Sequence, residues 1–405
     1  MTSNEVAGVA VGDPHLAGAL QTGLDQVEAL LHREVQSDYR FVAETSLHLI
    51  DAGGKRFRPL FTLLGAQMGP RPESHEVLTA AAVVELIHLA TLYHDDVMDS
   101  ATMRRGAESA NSRWDNTVAI LTGDFLFAHA SRLVADLGPD AVRIIAETFA
   151  ELVTGQMRET RGPRPGDDPV QHYLTVIAEK TGSLIATAGR YGGMFAGCPP
   201  EHVESLRRFG AVIGTAFQIS DDVIDIASPS DDSGKVPGTD LREGVHTLPM
   251  LYALQGEGPD ADRLRVLLAR PITDDAEVAE ALELLRTGPG LGRARDVLAA
   301  QAAEARAELG KLPACPAADA LAALTIYVVD RTAARWPTHR GGTYDSPFRR
   351  AAPPPAPARP GAASRPVTPG TRGRSGRWPT SRWRGARRAA SRCSTPTPPS
   401  RCRCR

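Results

Sequence analysis

Between Glu85 and Gly106 the chain reads ELIHLATLYHDDVMDSATMRRG, an apolar helical run that ends in three carboxylates and is followed by two arginines. A helix that is apolar along its length has to be covered by other elements, while acids at its end need a metal or another cation. In a helix, Asp95 and Asp99 stand one turn apart on one face, and Asp96 is rotated off that face by about 100°. Two carboxylates at this spacing suit a hard divalent cation such as Mg2+, which binds few carboxylates and completes its shell with water and phosphate oxygens. Arg104 and Arg105 follow where the helix should fray, and phosphate is the natural partner of a guanidinium fork. Taken alone, a single DDxxD is by far more often a solvated acidic helix face.

The pattern returns once. Gly214–Ile226 reads GTAFQISDDVIDI, placing Asp221, Asp222 and Asp225 behind a second apolar helical run, 126 residues after the first. A third cluster precedes both. Gly53-Gly54-Lys55-Arg56-Phe57-Arg58-Pro59 breaks a helical pattern with paired glycines, which let backbone approach a ligand, and it sets Lys55 and Arg58 at the start of the next helix. This cluster reads either as an anion site or as a solvated turn. Further on come Lys180-Thr181 in an apolar stretch and a polar segment, Ser228–Leu248, that contains GKVPGTDLREG and is long for an idle loop.

With these motifs the sequence resembles the trans-prenyl diphosphate synthases, the polyprenyl synthetase family, over roughly Leu24 to Arg331. The resemblance implies an all-α helical bundle of the isoprenoid synthase type, with both aspartate motifs facing a central cavity. It implies Mg2+, three ions once diphosphate is bound, held by Asp95, Asp96, Asp99, Asp221, Asp222 and Asp225. Asp95, Asp99 and Asp221 would bridge them to an allylic diphosphate. It assigns Lys55, Arg58, His88 and Arg105 to isopentenyl diphosphate and Arg104, Lys180 and Lys235 to the leaving group. Thr181 and Gln218 match positions whose oxygens steady the allylic cation. Asp124 matches a structural Gly-Asp pair. One departure stands out: Val245 occupies a position where the family often carries a lysine.

Chain length in such an enzyme depends on the depth of the pocket below the first motif. Ala90 and Thr91 lie five and four residues before Asp95, where early-stopping members carry aromatics. Ile87, Val83 and Val84 lie further down, and Phe149 is a candidate lower floor. Each turn adds about 5.4 Å, so small residues at the first turn imply a long product of the quinone side-chain type, with geranylgeranyl diphosphate as the alternative. Two other classes fit less well. A terpene cyclase needs no isopentenyl diphosphate cradle and lacks a second DDxxD, and non-catalytic subunits usually lose one of the motifs.

Composition divides the chain in two. Trp336–Arg405 holds 16 Arg, no Lys and one Asp, a net of +15, and 13 of the 31 prolines, so Met1–Arg335 carries a net of -17. The tail cannot bury enough apolar surface to offset its ordering entropy and is expected to be disordered. Residues 1–335 are expected to form one helical domain, and Met1–Pro14 a frayed start. No run is expected to reach the ~20 apolar residues of a membrane span, and the five cysteines make no disulfide framework. The expectation is a cytoplasmic homodimer with no nucleic-acid partner, touching membranes at most peripherally to release product.

Overall fold

The computed structural model describes residues 4–228 and 237–332. Lys235 and the whole basic tail lie outside them.

Among the described residues the architecture is helical. The chain runs through α1 (Pro14–Glu34), α2 (Arg40–Asp51), α3 (Phe57–Ala66), α4 (His75–Met98), the short α5 (Ala110–Arg113), α6 (Asn116–Asp136) and α7 (Pro139–Arg161). It continues through α8 (Pro169–Ile177), α9 (Ser183–Ala196), α10 (Pro200–Ala227), α11 (Thr239–Glu243) and α12 (Leu248–Leu254). Last come α13 (Pro259–Leu267), α14 (Asp275–Thr287), α15 (Pro289–Leu309) and α16 (Pro316–Asp330).

α4 is the axis of the fold. Its apolar residues go all the way round rather than along one stripe, so it is stable only when enclosed, and α1, α3, α6 and α9 pack against it. Ser74 caps its start, accepting from the Val77 amide. α3 is buried at every position. On the far side α10 lies against α9 and α15. Small residues allow these approaches. A Cβ at Gly192 on α9 would stand 2.2 Å from the Thr62 carbonyl on α3, and one at Gly210 on α10 would stand 2.6 Å from the Ile185 carbonyl on α9.

The start of the chain departs from the sequence expectation. Instead of fraying, β1 (Asn4–Val6) and β2 (Val9–Val11) form an antiparallel hairpin turned through Ala7 and Gly8, both at positive φ. Val6, Val9 and Val11 are buried, and the hairpin packs on α1 and α16. Three valines amid small polar residues carry too little apolar mass to stand out in the sequence. The core supplied by the two chain ends makes the hairpin worthwhile. A second hairpin pairs β3 (Met103–Arg104) with β4 (Ala107–Glu108).

Two helices come closer to membrane spans than the sequence suggested. His75–Met98 and Asn116–Asp136 are each long and apolar enough to cross a bilayer. For α4 the reason is its place in the core, where 78% of the apolar window is buried; for α6 the figure is 39%.

Candidate active site

A cavity of about 960 Å³ lies inside the bundle. α4 supplies His88, Thr91, Leu92 and Asp95 to its wall, spaced three and four residues apart and therefore on one helix face. α10 supplies Gln218 and Asp222, one turn apart on the facing wall.

The first acid motif divides by rotation about α4. Asp95 lines the cavity and Asp99, at the helix C-cap, is exposed. Asp96 points inward and is fully buried, with Arg104 Nε donating to its Oδ1 at 2.6 Å. Burial pushes the Asp96 carboxyl up to about 6, with Arg104 opposing the shift. Arg104 is itself only 3% exposed, so its guanidinium serves Asp96 as well as the cavity it borders. The β3–β4 hairpin exists to bring it there.

The second motif is buried at all three acids. Asp221 pairs with Arg331 Nη2 at 2.7 Å, at the C-cap of α16. Arg331 also donates to Ser220 Oγ at 2.6 Å and to the Phe217 carbonyl at 3.0 Å. Asp222 is the motif's cavity-lining acid. It accepts from the Tyr173 hydroxyl and from Gln218 Nε2 at 3.1 Å, and Asp225 accepts from the Asp240 amide at 3.2 Å. Asp222 is thus the acid of this motif that lines the cavity, while Asp221, the acid expected to bridge a metal to the diphosphate, is held by Arg331.

Between the two walls lies a basic cradle formed by Lys55, Arg56, Arg58, Arg104, Arg105 and His88. The backbone is shaped for it. Arg56 and Arg105 both adopt left-handed φ, 48° and 53°, conformations that non-glycine residues rarely take outside such sites. Gly54, at φ 131°, has to lack a side chain: a Cβ there would stand 2.9 Å from Arg105 Cζ. Arg58 is buried, which lowers its guanidinium to about 10, the field of Glu85 acting to raise it and that of Arg105 to lower it. Burial, then the fields of Arg58, Arg105, Arg56 and Arg104, hold the His88 imidazole well below its ordinary value, so it is neutral.

Lys180 and Thr181 reach the cavity through a distortion of the helix. Ala178–Gly182 is a π turn joining α8 to α9, a feature that often marks functional sites. Gly155 on α7 makes room, since a Cβ there would stand 2.7 Å from the Lys180 amide nitrogen. Lys180 Nζ donates to Glu159 Oε2 at 2.5 Å. Val245 also lines the cavity, so the departure from the family lysine leaves an apolar contact at that point.

Of the chain-length positions, Thr91 is on the wall and Ala90 and Ile87 are not. Both are about 1% exposed and fall on the stripe that includes His94, whose Nε2 lies 3.2 Å from the Ile120 carbonyl on α6. Gly123 of α6 sits close against the Ala90 carbonyl, at 3.0 Å from its would-be Cβ. The Ala90 backbone thus lies against α6. Phe149, half-buried against Phe127 with ring centroids 4.5 Å apart, lies one turn beyond the wall residue Leu152 on α7.

Several site residues escaped the sequence reading: Arg56, Glu85, Tyr173, Glu159 and Arg331. Glu85 had a usable signal, a lone acid within an apolar helix that needs a cation. Arg331 had none, since its partner is 110 residues earlier in the chain.

Among the described residues no three acidic, cysteine or histidine side chains converge on one point. A cavity flanked by carboxylates on two walls, with oxygen as the donor, nevertheless fits a hard divalent cation whose remaining ligands are water and phosphate.

A family profile described as Polyprenyl synthetase matches residues 40–285. A nonaprenyl diphosphate synthase of Mycobacterium tuberculosis is 62% identical over 326 residues, covering 80% of this chain and 97% of that protein. The crystal structure of a geranylgeranyl pyrophosphate synthase from Corynebacterium glutamicum, complexed with calcium and isoprenyl diphosphate, superimposes with a TM-score of 0.74 at 51% identity. It covers 80% of this chain and 99% of that one. A decaprenyl diphosphate synthase from Rhodobacter capsulatus gives a TM-score of 0.72 at 33% identity, covering 79% and 99%. With the cavity, the two acid motifs and the cradle already in place, these likenesses settle one matter: the chain belongs to the polyprenyl synthetase family.

Proposed function

We propose that the protein condenses isopentenyl diphosphate with an allylic diphosphate in repeated rounds, giving a long trans-polyprenyl diphosphate. One observation carries the reading: acids on two helices and a basic cradle line the same cavity. Bound Mg2+ ions would neutralise the charge that develops on the diphosphate as its C–O bond breaks. Asp95, Asp99 and Asp222, with Asp96, Asp221 and Asp225 behind them, are the carboxylates that would hold the ions. Lys180 and Arg104 lie where they add positive charge beside the leaving group, and Lys235 is proposed to join them. Lys55, Arg58, His88 and Arg105 orient isopentenyl diphosphate by its own diphosphate, leaving its double bond to meet the cation. Gln218 and Thr181 present oxygens to that cation. The apolar residues Leu92, Leu152, Val176, Ile177 and Leu184 line the rest of the wall and keep water from it.

A long product is favoured by the 62% identity to the nonaprenyl diphosphate synthase and by Thr91, rather than an aromatic, on the wall. Geranylgeranyl diphosphate is the second reading, favoured by the 51% identity to the Corynebacterium enzyme. A homodimer is supported by large apolar side chains left exposed on α6 and α7, among them Leu121 at 61% and Met157 at 68%. We place the enzyme in the cytoplasm and regard residues 336–405 as a dispensable tail. The test is incubation with radiolabelled isopentenyl diphosphate, Mg2+ and each allylic primer, followed by sizing of the dephosphorylated products. No incorporation with any primer overturns the reading, and a twenty-carbon product selects the second.

A further inference from the structure

We infer that Glu85 is a positioning residue of the isopentenyl diphosphate cradle, the counter-charge that holds its guanidinium groups in place before any diphosphate arrives. The inference rests on the function proposed above.

An acid in the middle of an anion-binding cavity looks misplaced, and its surroundings explain it. Glu85 sits one turn before His88 on α4 and is 1% exposed. Its Oε1 lies 3.1 Å from Arg56 Nη1 and 3.5 Å from Arg105 Nη2. The same two arginines carry donors to main-chain carbonyls at the end of α2 and the glycine turn: Arg56 to Ile50 at 2.9 Å and Gly53 at 3.2 Å, Arg105 to Leu49 at 3.0 Å and Gly53 at 2.6 Å. One carboxylate therefore fastens α4, the β3–β4 hairpin and the Gly53–Lys55 turn to one another. Lys55, which follows that turn, inherits its position. Glu28 on α1 holds Arg56 from the outer side, at 2.7 and 2.9 Å, and does not reach Arg105.

Two consequences of this charge oppose each other. Glu85 weakens the attraction of the cradle for an anion. It also suppresses repulsion among Arg56, Arg58 and Arg105, which are crowded into a space with little water and would otherwise turn outward. Were dilution the stronger effect, removing the charge would tighten binding. The shared anchoring of Arg56 and Arg105 on residues 49–53 favours the second effect. Without Glu85, the site would have to be assembled by the substrate, at the expense of affinity.

The test uses the full-length enzyme with Mg2+ and varies one substrate while the other is saturating. Glu85→Gln keeps the shape and removes the charge. It is expected to raise KM for isopentenyl diphosphate at least ~10-fold, as loss of one partner of a buried charge pair does, leaving KM for the allylic diphosphate and kcat within about threefold. Glu85→Asp keeps the charge at a shorter reach and should fall between wild type and Glu85→Gln. An unchanged or lower KM for isopentenyl diphosphate, or an equal rise for both substrates, overturns the inference. If Glu85→Gln does not fold, Glu85→Asp is judged by the same selectivity between substrates. A wild-type protein that elongates no primer sinks the enzymatic reading alone. Glu85 is then judged by calorimetric binding of isopentenyl diphosphate, expected to be weakened ~10-fold in the glutamine variant and overturned by equal affinity.

Discussion

The two aspartate motifs share a spelling and differ in mechanics. In each, one acid of the DD pair faces the cavity and its neighbour turns inward to a buried arginine. The phase is opposite. In the first motif the leading Asp95 faces the cavity and Asp96 pairs with Arg104; in the second the leading Asp221 pairs with Arg331 and Asp222 faces the cavity. Their surroundings differ as well. The first motif ends its helix, with Asp99 in water, while all three acids of the second are buried and each is tied to a different element. Adjacent helical residues diverge by about 100°, so the two carboxylates of a DD pair meet different neighbours. Where a buried arginine arrives decides which one is left to line the cavity.

Replacing the acids one at a time would break this comparison most directly. Asp95→Ala and Asp222→Ala should each lower kcat by ~10³-fold or more, the scale of losing a preorganised electrostatic partner of the transition state, with the melting temperature nearly unchanged. Asp96→Ala and Asp221→Ala should lose stability also, by about 3–5 kcal/mol, because each leaves a buried arginine without its counter-ion. Denaturant titration beside single-turnover rates separates the two classes. If Asp221→Ala melts like wild type while Asp222→Ala does not, the phase has been assigned the wrong way round.

A pH titration sharpens the inner half of the first motif. Burial raises Asp96 to about 6, and a carboxyl raised by folding favours the native state in its protonated form. Its contribution is whole below the unfolded value of 3.8 and is lost as pH rises through about 6. With chelator present, wild type should therefore gain stability relative to Asp96→Asn as pH falls from 7 to 5, by about 1 kcal/mol. Parallel stability curves would show that Asp96 does not carry this shift.

Much of this site could be read from the chain because its chemistry is local. Apolar helices ending in acids, a Gly-Gly break before cations and a Lys-Thr pair are all visible within a dozen residues. What could not be read depended on distant partners. Arg331 joins Asp221 from the far end of the domain, and the 4–11 hairpin finds its core only because α16 returns to it. The π turn at 178–182 was invisible too; it packs against Gly155 on another helix, far off in sequence, where a Cβ would stand 2.7 Å from the Lys180 amide nitrogen. Ala90 was expected to face the cavity; it is buried with its carbonyl against Gly123 of α6, while its neighbour Thr91 lines the wall.

This pair supplies the finest test, because Ala90 and Thr91 are neighbours on the helix below Asp95 and Thr91 is the one that lines the cavity. A ring at Thr91 enters the cavity between the first motif and the apolar wall formed by Leu152 and Leu184. It should stop the growing chain early, shifting the product to about fifteen or twenty carbons, since one helical turn of about 5.4 Å spans roughly one isoprene unit. The first condensation happens above the ring, at the acids, and should be almost unaffected. A ring at Ala90, a position about 1% exposed on a helix enclosed by its neighbours, would instead be forced into a closed core. Overpacking there should cost about 1–3 kcal/mol of stability and leave product length nearly as it was. Reversed-phase sizing of products from Thr91→Phe and Ala90→Phe, with a melting curve for each, reads both outcomes. A shortened product from Ala90→Phe with wild-type stability would return the ruler to that residue. An unchanged product from Thr91→Phe would move the floor deeper, to the Phe127 and Phe149 pair.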